Sequence, residues 1–296
     1  MDKGNLAPIL LFTYKRLNTL QQTVAALQQN FLANQSDLFI FSDAAKNDSD
    51  KILVTEVRTY LKTISGFKSI HIIEADKNNG LATSIINGVT QVIKKYGKVI
   101  VLEDDLITSY NFLAFMNKSL EYYKNNPGII SISGYNMGVK EKKNINYPYD
   151  IFFAKRAASW GWATWSKKWD NIDWNIVDFK IFSKDKIKIK AFNEWGSDMF
   201  SMLRKQQLKK NDSWAIRYCY HQFKNNMFCV YPLNSKVRNI GFDIHATHTT
   251  QKYNRFDVSL DNSDNLDFNF TNKIILNDKI FKQFKALNGI RQRIFF

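Results

Sequence analysis

Three consecutive carboxylates, Glu103, Asp104 and Asp105, follow an apolar run from Val99 to Leu102. Carboxylates are hard oxygen ligands suited to Mn²⁺ or Mg²⁺, ions that commonly keep open positions for substrate phosphates. A divalent ion held at a strand end can neutralise a diphosphate as it departs. The rest of the chain is basic, with 42 Lys and Arg against 27 Asp and Glu and a net charge of +15, a balance that attracts phosphorylated molecules. An acidic loop open to water explains the triplet equally well, and a lysine-rich composition that favours solubility explains the charge.

Further chemistry-bearing residues lie downstream. Five tryptophans fall between residues 160 and 174. Their flat faces suit pyranose rings, with Trp160 and Trp162 on either side of Gly161 the preferred pair. Core packing is the rival role for any aromatic. Asp212, in "KKNDSWAIRY", and Asp198, in "EWGSDMF", are further acids of the acceptor half, and N-D-S-W reads as a helix cap. The chain contains no GxxxxGK[ST] or GxGxxG loop, no HExxH and no cysteine-rich metal pattern, which argues against kinases, NTPases and dinucleotide enzymes.

The elements that must position these groups alternate. Strand-length apolar runs at 8–14, 37–43, 69–76 and 98–105 are separated by helical patterns at 17–31, 48–64 and 81–95. The first helix places Leu17, Leu20, Val24 and Leu27 at helical spacing. Strands apolar throughout, alternating with helices, predict an α/β fold whose mostly parallel sheet is covered on both faces. Ligands of such sheets bind beyond the carboxyl ends of the strands. Three ends are polar: Thr13-Tyr14, Ser42-Asp43 and the acidic triplet. Convergence of the three on one pocket is the expectation.

A length of 296 residues with 45% hydrophobic content supports a sizeable core. The best division is a nucleotide-binding half over 1–105, an acceptor half over 106–250 and a basic tail over 251–296. Two cysteines, Cys219 and Cys229, are too few for a disulfide framework and fit a cytoplasmic setting. The first residues do not read as a signal peptide, and no run approaches the about 18 apolar residues that span a bilayer. In the tail, Ile280, Phe281, Phe284 and Leu287 form one helical face amid Lys279, Lys282 and Lys285. Such a face suits either an anionic membrane surface or docking on the domain.

The segments "PILLFTYKRLNTLQQTVAAL", "LFIFSDAAKND" and, most specifically, "NNGLATSIINGVTQVIKKYGKVIVLEDDLITSYNFLAFMNKSLEYY" resemble GT-A glycosyltransferases of the family 2 type. The EDD stretch resembles that of the N-acetylglucosaminyltransferase I group and its bacterial relatives. "SISGYN" and "SWGWATW" follow in that group's order, and "SKVRNIGFDIHATHT" resembles the closing segment of bacterial family 2-like enzymes. The likeness runs over residues 7 to 250.

The resemblance implies a GT-A fold, an inverting reaction, a nucleotide-sugar donor, most often UDP-linked, and a glycan acceptor. It implies Asp105 as the direct ligand of Mn²⁺ or Mg²⁺, Asp104 facing ribose or phosphates, and Glu103 facing the nucleotide or donor sugar. Thr13 and Arg16 fall where the first loop passes the nucleotide, and Asp43 where the base is held. The general base falls at Asp212, although the related motif has two adjacent acids where this chain has Asp212-Ser213. His248, or less strongly His245, falls where some relatives add a metal or phosphate contact.

The implied setting is synthesis of a bacterial surface glycan at the inner face of the membrane, with an acceptor carried on lipid. The alternatives are a nucleotidyltransferase, which would call for a glycine- and lysine-rich first loop absent here, and a non-catalytic carbohydrate-binding protein, which would not need the acidic triplet. Charge aside, no motif supports nucleic acid as a partner.

Overall fold

The computed structural model describes residues 6–139, 147–241 and 256–289. The expected alternation opens the chain: β1 (Ile9–Thr13), α1 (Leu17–Gln28), β2 (Asp37–Ser42), α2 (Asp48–Leu61), β3 (Ser69–Glu74), α3 (Leu81–Tyr96) and β4 (Lys98–Glu103). A short β5 (Leu106–Thr108) and α4 (Phe112–Tyr123) follow, then β6 (Ile129–Ser133), β7 (Ile151–Ala154) and β8 (Trp162–Trp165). Five helices come next: α5 (Ser166–Trp169), α6 (Phe179–Phe182), α7 (Lys186–Phe192), α8 (Met199–Gln207) and α9 (Trp214–Lys224). The last elements are β9 (Phe228–Pro232), β10 (Val237–Asn239) and α10 (Asp278–Leu287).

Eight strands form one sheet in the order β3-β2-β1-β4-β8-β6-β9-β7. The pairs from β3 to β4 are parallel, as is β6 with β9. The strand β8 runs antiparallel to both β4 and β6, and β7 antiparallel to β9. Alternation along the strands shows why both faces must be covered. Leu10 and Phe12 of β1, with Val99 and Val101 of β4, join the core under α3 and α9. Ile9 and Leu11, with Ile100 and Leu102, join the opposite core under α1 and α4. This is the α/β fold with a mostly parallel, helix-flanked sheet that the sequence predicts. The sheet runs unbroken through residues of both expected halves.

Local signals set the element ends. The cap of α2 is Asn47, whose side chain accepts from Asp50 N. Helix α3 stops at Gly97, which adopts the left-handed conformation and donates to Ile93 O at 2.7 Å.

The described part of the tail packs on the body. Lys118 reaches Leu266 O and Asp267, Tyr123 donates to Thr271 O, and Phe268 sits edge-on to Phe115. Ile280 and Phe284 are buried, and the rings of Phe281 and Phe284 lie on Trp195. Of the four residues expected on the α10 face, Ile280 and Phe284 dock on the domain, while Phe281 and Leu287 are half-buried. Among the described residues no helix is long and apolar enough to cross a membrane.

Candidate active site

The acids sit at the carboxyl edge of the sheet, where β4 turns into β5. Parallel pairing of β1 with β4 sets Phe12 beside Glu103 and so delivers the β1 loop onto the triplet. Asp104 accepts from Thr13 Oγ1 at 3.0 Å and from Tyr14 N at 3.2 Å. Arg16 Nη2 lies 2.5 Å from Asp104 Oδ1 and 2.9 Å from Asp105 Oδ2. Of the expected site residues, Thr13, Arg16, Asp104 and Asp105 therefore converge.

Electrostatics at this edge are tense. Burial, then Asp105 and Asp104, push the half-buried Glu103 up to about 8. Burial also raises Asp105 against the opposing pull of Arg16. Arg16 loses some basicity to burial, but Asp104 and Asp105 more than restore it and hold it above its ordinary value.

Asp43 is buried and adjoins the same edge, since its N–H donates to Thr13 O at 3.0 Å. Its carboxylate is fully engaged. Oδ1 accepts from Ala44 N and Asn79 N, and Oδ2 from Gly80 N and Asn78 Nδ2. It thus organises the loop before α3. Asn78 also donates to Ala44 O at 2.7 Å, a cross-brace between the two loops.

Asp212 borders this loop: a Cβ built on Gly80 would lie 3.9 Å from its Oδ2. The cap of α9 is Ser213, which accepts from Ile216 N, so the capping role does not fall on Asp212. The Asp212 carboxylate is largely exposed and meets Arg217 at 3.3 Å. Asp198, the competing acid, forms a two-pronged pair with Arg156 at 2.8 and 3.1 Å, so both its oxygens are committed.

The tryptophan expectation requires a correction. Trp162 is 1% exposed. Its ring stacks between Trp169 and Trp214, with centroids at 5.6 and 4.7 Å, and it presents no face to an acceptor. Trp160 is half-buried against Tyr135 and Phe256. Between the two, Gly161 takes a left-handed φ of +59°, and a Cβ there would press on Val237 and approach Leu102 at 3.5 Å. The Ser-Trp-Gly-Trp loop therefore passes one residue short of the acidic triplet.

A second element reaches the acids from β10. Ile240 N donates to Asp105 O at 2.8 Å, and Gly241 follows directly. A Cβ at Gly241 would overlap Asp105 Oδ2, lie 2.9 Å from Asp105 Cγ and lie 3.0 Å from Arg16 Nη1. Close approach is thus the role of this glycine, which "SKVRNIGFD" gave no means to foresee. His245 and His248 lie outside the described residues.

The donor set fits a hard divalent cation. Asp105 Oδ1 is buried with no hydrogen-bond partner among the described residues, an oxygen that a cation would satisfy. Among the described residues no three His, Cys, Asp or Glu side chains form a ready-made cage. One or two carboxylates completed by substrate phosphates and water is the usual Mg²⁺ arrangement.

No protein-family profile matches the chain, and no curated protein matches it in sequence. Solved structures resemble it in part. One is the mannosyltransferase PcManGT from Pyrobaculum calidifontis, in complex with GDP-Man and Mn²⁺, at 11% identity and a TM-score of 0.39, covering 56% of this chain and 46% of that one. TarS of S. aureus matches at 11% identity and a TM-score of 0.33, covering 50% and 24%; its 1–349 fragment matches at 10% and 0.37, covering 56% and 50%. The chain spans half or less of the length of each. The likeness is partial and assigns neither activity nor ligand to this chain.

Proposed function

We propose that the chain is an inverting, metal-dependent glycosyltransferase that moves a sugar from a UDP-linked donor to a hydroxyl of a bacterial surface glycan. The observation that carries this reading is the meeting of Thr13, Tyr14 N and Arg16 with Asp104 and Asp105 at the carboxyl edge of parallel strands, beside a buried oxygen without a partner among the described residues. The residue resemblance of the EDD segment supports the same class. A glycan-binding protein would have no need of this charged edge.

In the reaction, Asp212 takes the proton of the acceptor hydroxyl. The freed oxygen pair bonds to the anomeric carbon while that carbon's bond to the diphosphate oxygen breaks, and its electrons leave with the diphosphate. Attack opposite the leaving group inverts the anomeric centre. Arg16 places positive charge where the diphosphate charge develops. Asp104 fixes the β1 loop, Asp43 shapes the loop that walls the base, and Glu103 faces the donor sugar. Asp105 would hold Mn²⁺ or Mg²⁺, and the bound ion would supply further charge neutralisation at the diphosphate. Trp160, which keeps accessible surface, takes the acceptor contact.

The test is release of nucleoside diphosphate from a panel of nucleotide sugars, with and without Mn²⁺, alongside Asp105→Ala. Metal-dependent release lost in the variant supports the reading and identifies the donor. Absence of both turnover and nucleotide binding overturns it. The anomeric configuration of the product, read by NMR, decides inversion.

A further inference from the structure

The segment from Asp173 to Lys190 holds three aliphatic side chains almost fully in solvent: Val177 (83% exposed), Ile181 (75%) and Ile187 (83%). Their exposure is built in. Asp173 accepts from the backbone N–H groups of Asn175, Ile176 and Val177, and Ile176 is buried with a left-handed φ of +53°. The single turn of α6 directs Phe182 inward onto Phe192, Phe200 and Tyr220, which leaves Ile181 outward. Asp185 then caps α7 by accepting from Lys188 N and sets Ile187 in the first exposed turn.

Lysines interleave with these aliphatics. Lys180, Lys184, Lys186, Lys188 and Lys190 are all exposed. The neighbouring acids are engaged: Asp178 pairs with Lys224 at 2.8 Å and Asp185 with Lys188 at 3.6 Å. The patch continues across α8, because Gln207 Nε2 reaches Asn175 O at 3.3 Å. There Leu208 is 57% exposed among exposed Arg204, Lys205, Lys209 and Lys210.

We propose that this face docks on an anionic lipid bilayer, with Val177, Ile181, Ile187 and Leu208 entering the headgroup boundary and the surrounding lysines meeting acidic headgroups. Aliphatic side chains ringed by basic ones match that interface. The core of a protein–protein interface is depleted of lysine, and single-stranded nucleic acid is gripped by exposed aromatics that this face lacks. The surface is distinct from α10, whose Ile280 and Phe284 are buried. It borders Asp212, because Arg217 contacts both Asp212 and Trp174 O. Delivery of a lipid-carried acceptor to Asp212 rests on the glycosyltransferase reading, whereas docking on the bilayer does not.

Flotation of the full chain with vesicles of phosphatidylcholine alone, or mixed with phosphatidylglycerol, tests the proposal. Binding is expected with the anionic vesicles only. Ile181→Ser with Ile187→Ser, and separately Lys180, Lys184, Lys186 and Lys188→Gln, each lowers the partition coefficient about tenfold. A control that removes equal charge elsewhere, Lys51, Lys62, Lys94 and Lys95→Gln, leaves it within about twofold. All these positions are exposed, and melting curves verify folding. Absence of flotation, or an equal loss in the control, overturns the proposal. Concentration-dependent dimerisation abolished by the isoleucine variant would assign the face to a second copy instead. Donor turnover by a chain that does not float leaves the enzymatic reading intact and removes only the bilayer.

Discussion

A single nitrogen of Arg16 bridges two consecutive carboxylates, at 2.5 Å from Asp104 and 2.9 Å from Asp105. Three adjacent acids beside a sheet edge repel one another, and burial together with this repulsion pushes Glu103 up to about 8. The guanidinium is the cation within the chain that offsets the repulsion. Arg16→Ala is expected to lower stability by about 1–3 kcal/mol, since the acids remain partly buried without their partner. Thermal melts should also show Mn²⁺ raising the melting temperature more in the variant than in the parent. An unchanged melting temperature would show that solvent already offsets the charge.

Gly241 tests the other wall of the cluster. An added methyl would overlap Asp105 Oδ2 and lie 3.0 Å from Arg16 Nη1, so the carboxylate must move. Displacements of about 1 Å at a reacting centre cost about 10²-fold. Gly241→Ala is therefore expected to lose donor turnover by about that factor, with a stability change of about 1–3 kcal/mol from overpacking. Side-by-side turnover and melting measurements check this, and full activity would place the reacting centre away from Asp105.

The two candidate bases separate cleanly. Asp212→Asn should reduce turnover by about 10²–10⁴-fold and leave the melting temperature alone, because the carboxylate is exposed and, among the described residues, meets only Arg217, at 3.3 Å. Asp198→Asn strips Arg156 of its partner and should cost about 3 kcal/mol, while molecules that remain folded keep their turnover. Reversed outcomes would exchange the roles.

Much of this architecture is legible in the sequence, for identifiable reasons. Strands apolar throughout and helices with one apolar stripe admit few arrangements, so β1 through β4 and their helices emerge from pattern alone. Asp104 and Asp105 are conspicuous because charges follow a buried strand. Trp162 misleads because ring chemistry is the same in a core and at a sugar site. Only the tertiary placement of Trp169 and Trp214 distinguishes them. Gly241 and Asn78 stay hidden because their partners, Asp105 and Asp43, lie far along the chain. The tail pattern fits docking and membrane equally until Trp195 is seen beneath Phe281 and Phe284.

The tail anchor gives a prediction with a defined pH sign. Lys236 and Asp261 form an ion pair with side chains 5% and 6% exposed, and Lys236 lies over the rings of Phe115 and Phe268. Burial pulls the lysine down. It would push the aspartate up, but hydrogen bonds from Lys236, Ser263 N and Asn111 hold Asp261 below its usual 3.8. A carboxylate depressed in the folded state stabilises above its unfolded value and loses that contribution as pH falls through the folded one. Asp261→Asn should therefore cost about 3 kcal/mol at neutral pH by leaving Lys236 buried and unpaired. The gap to the parent should hold from neutrality to about pH 5 and close below about pH 4. Pairing Lys236→Met with Asp261→Asn should recover much of the loss, since no buried charge is then left alone. Denaturant melts of the three chains across this range decide the matter, and a gap that persists unchanged in acid would show that the pair is not what fixes the tail.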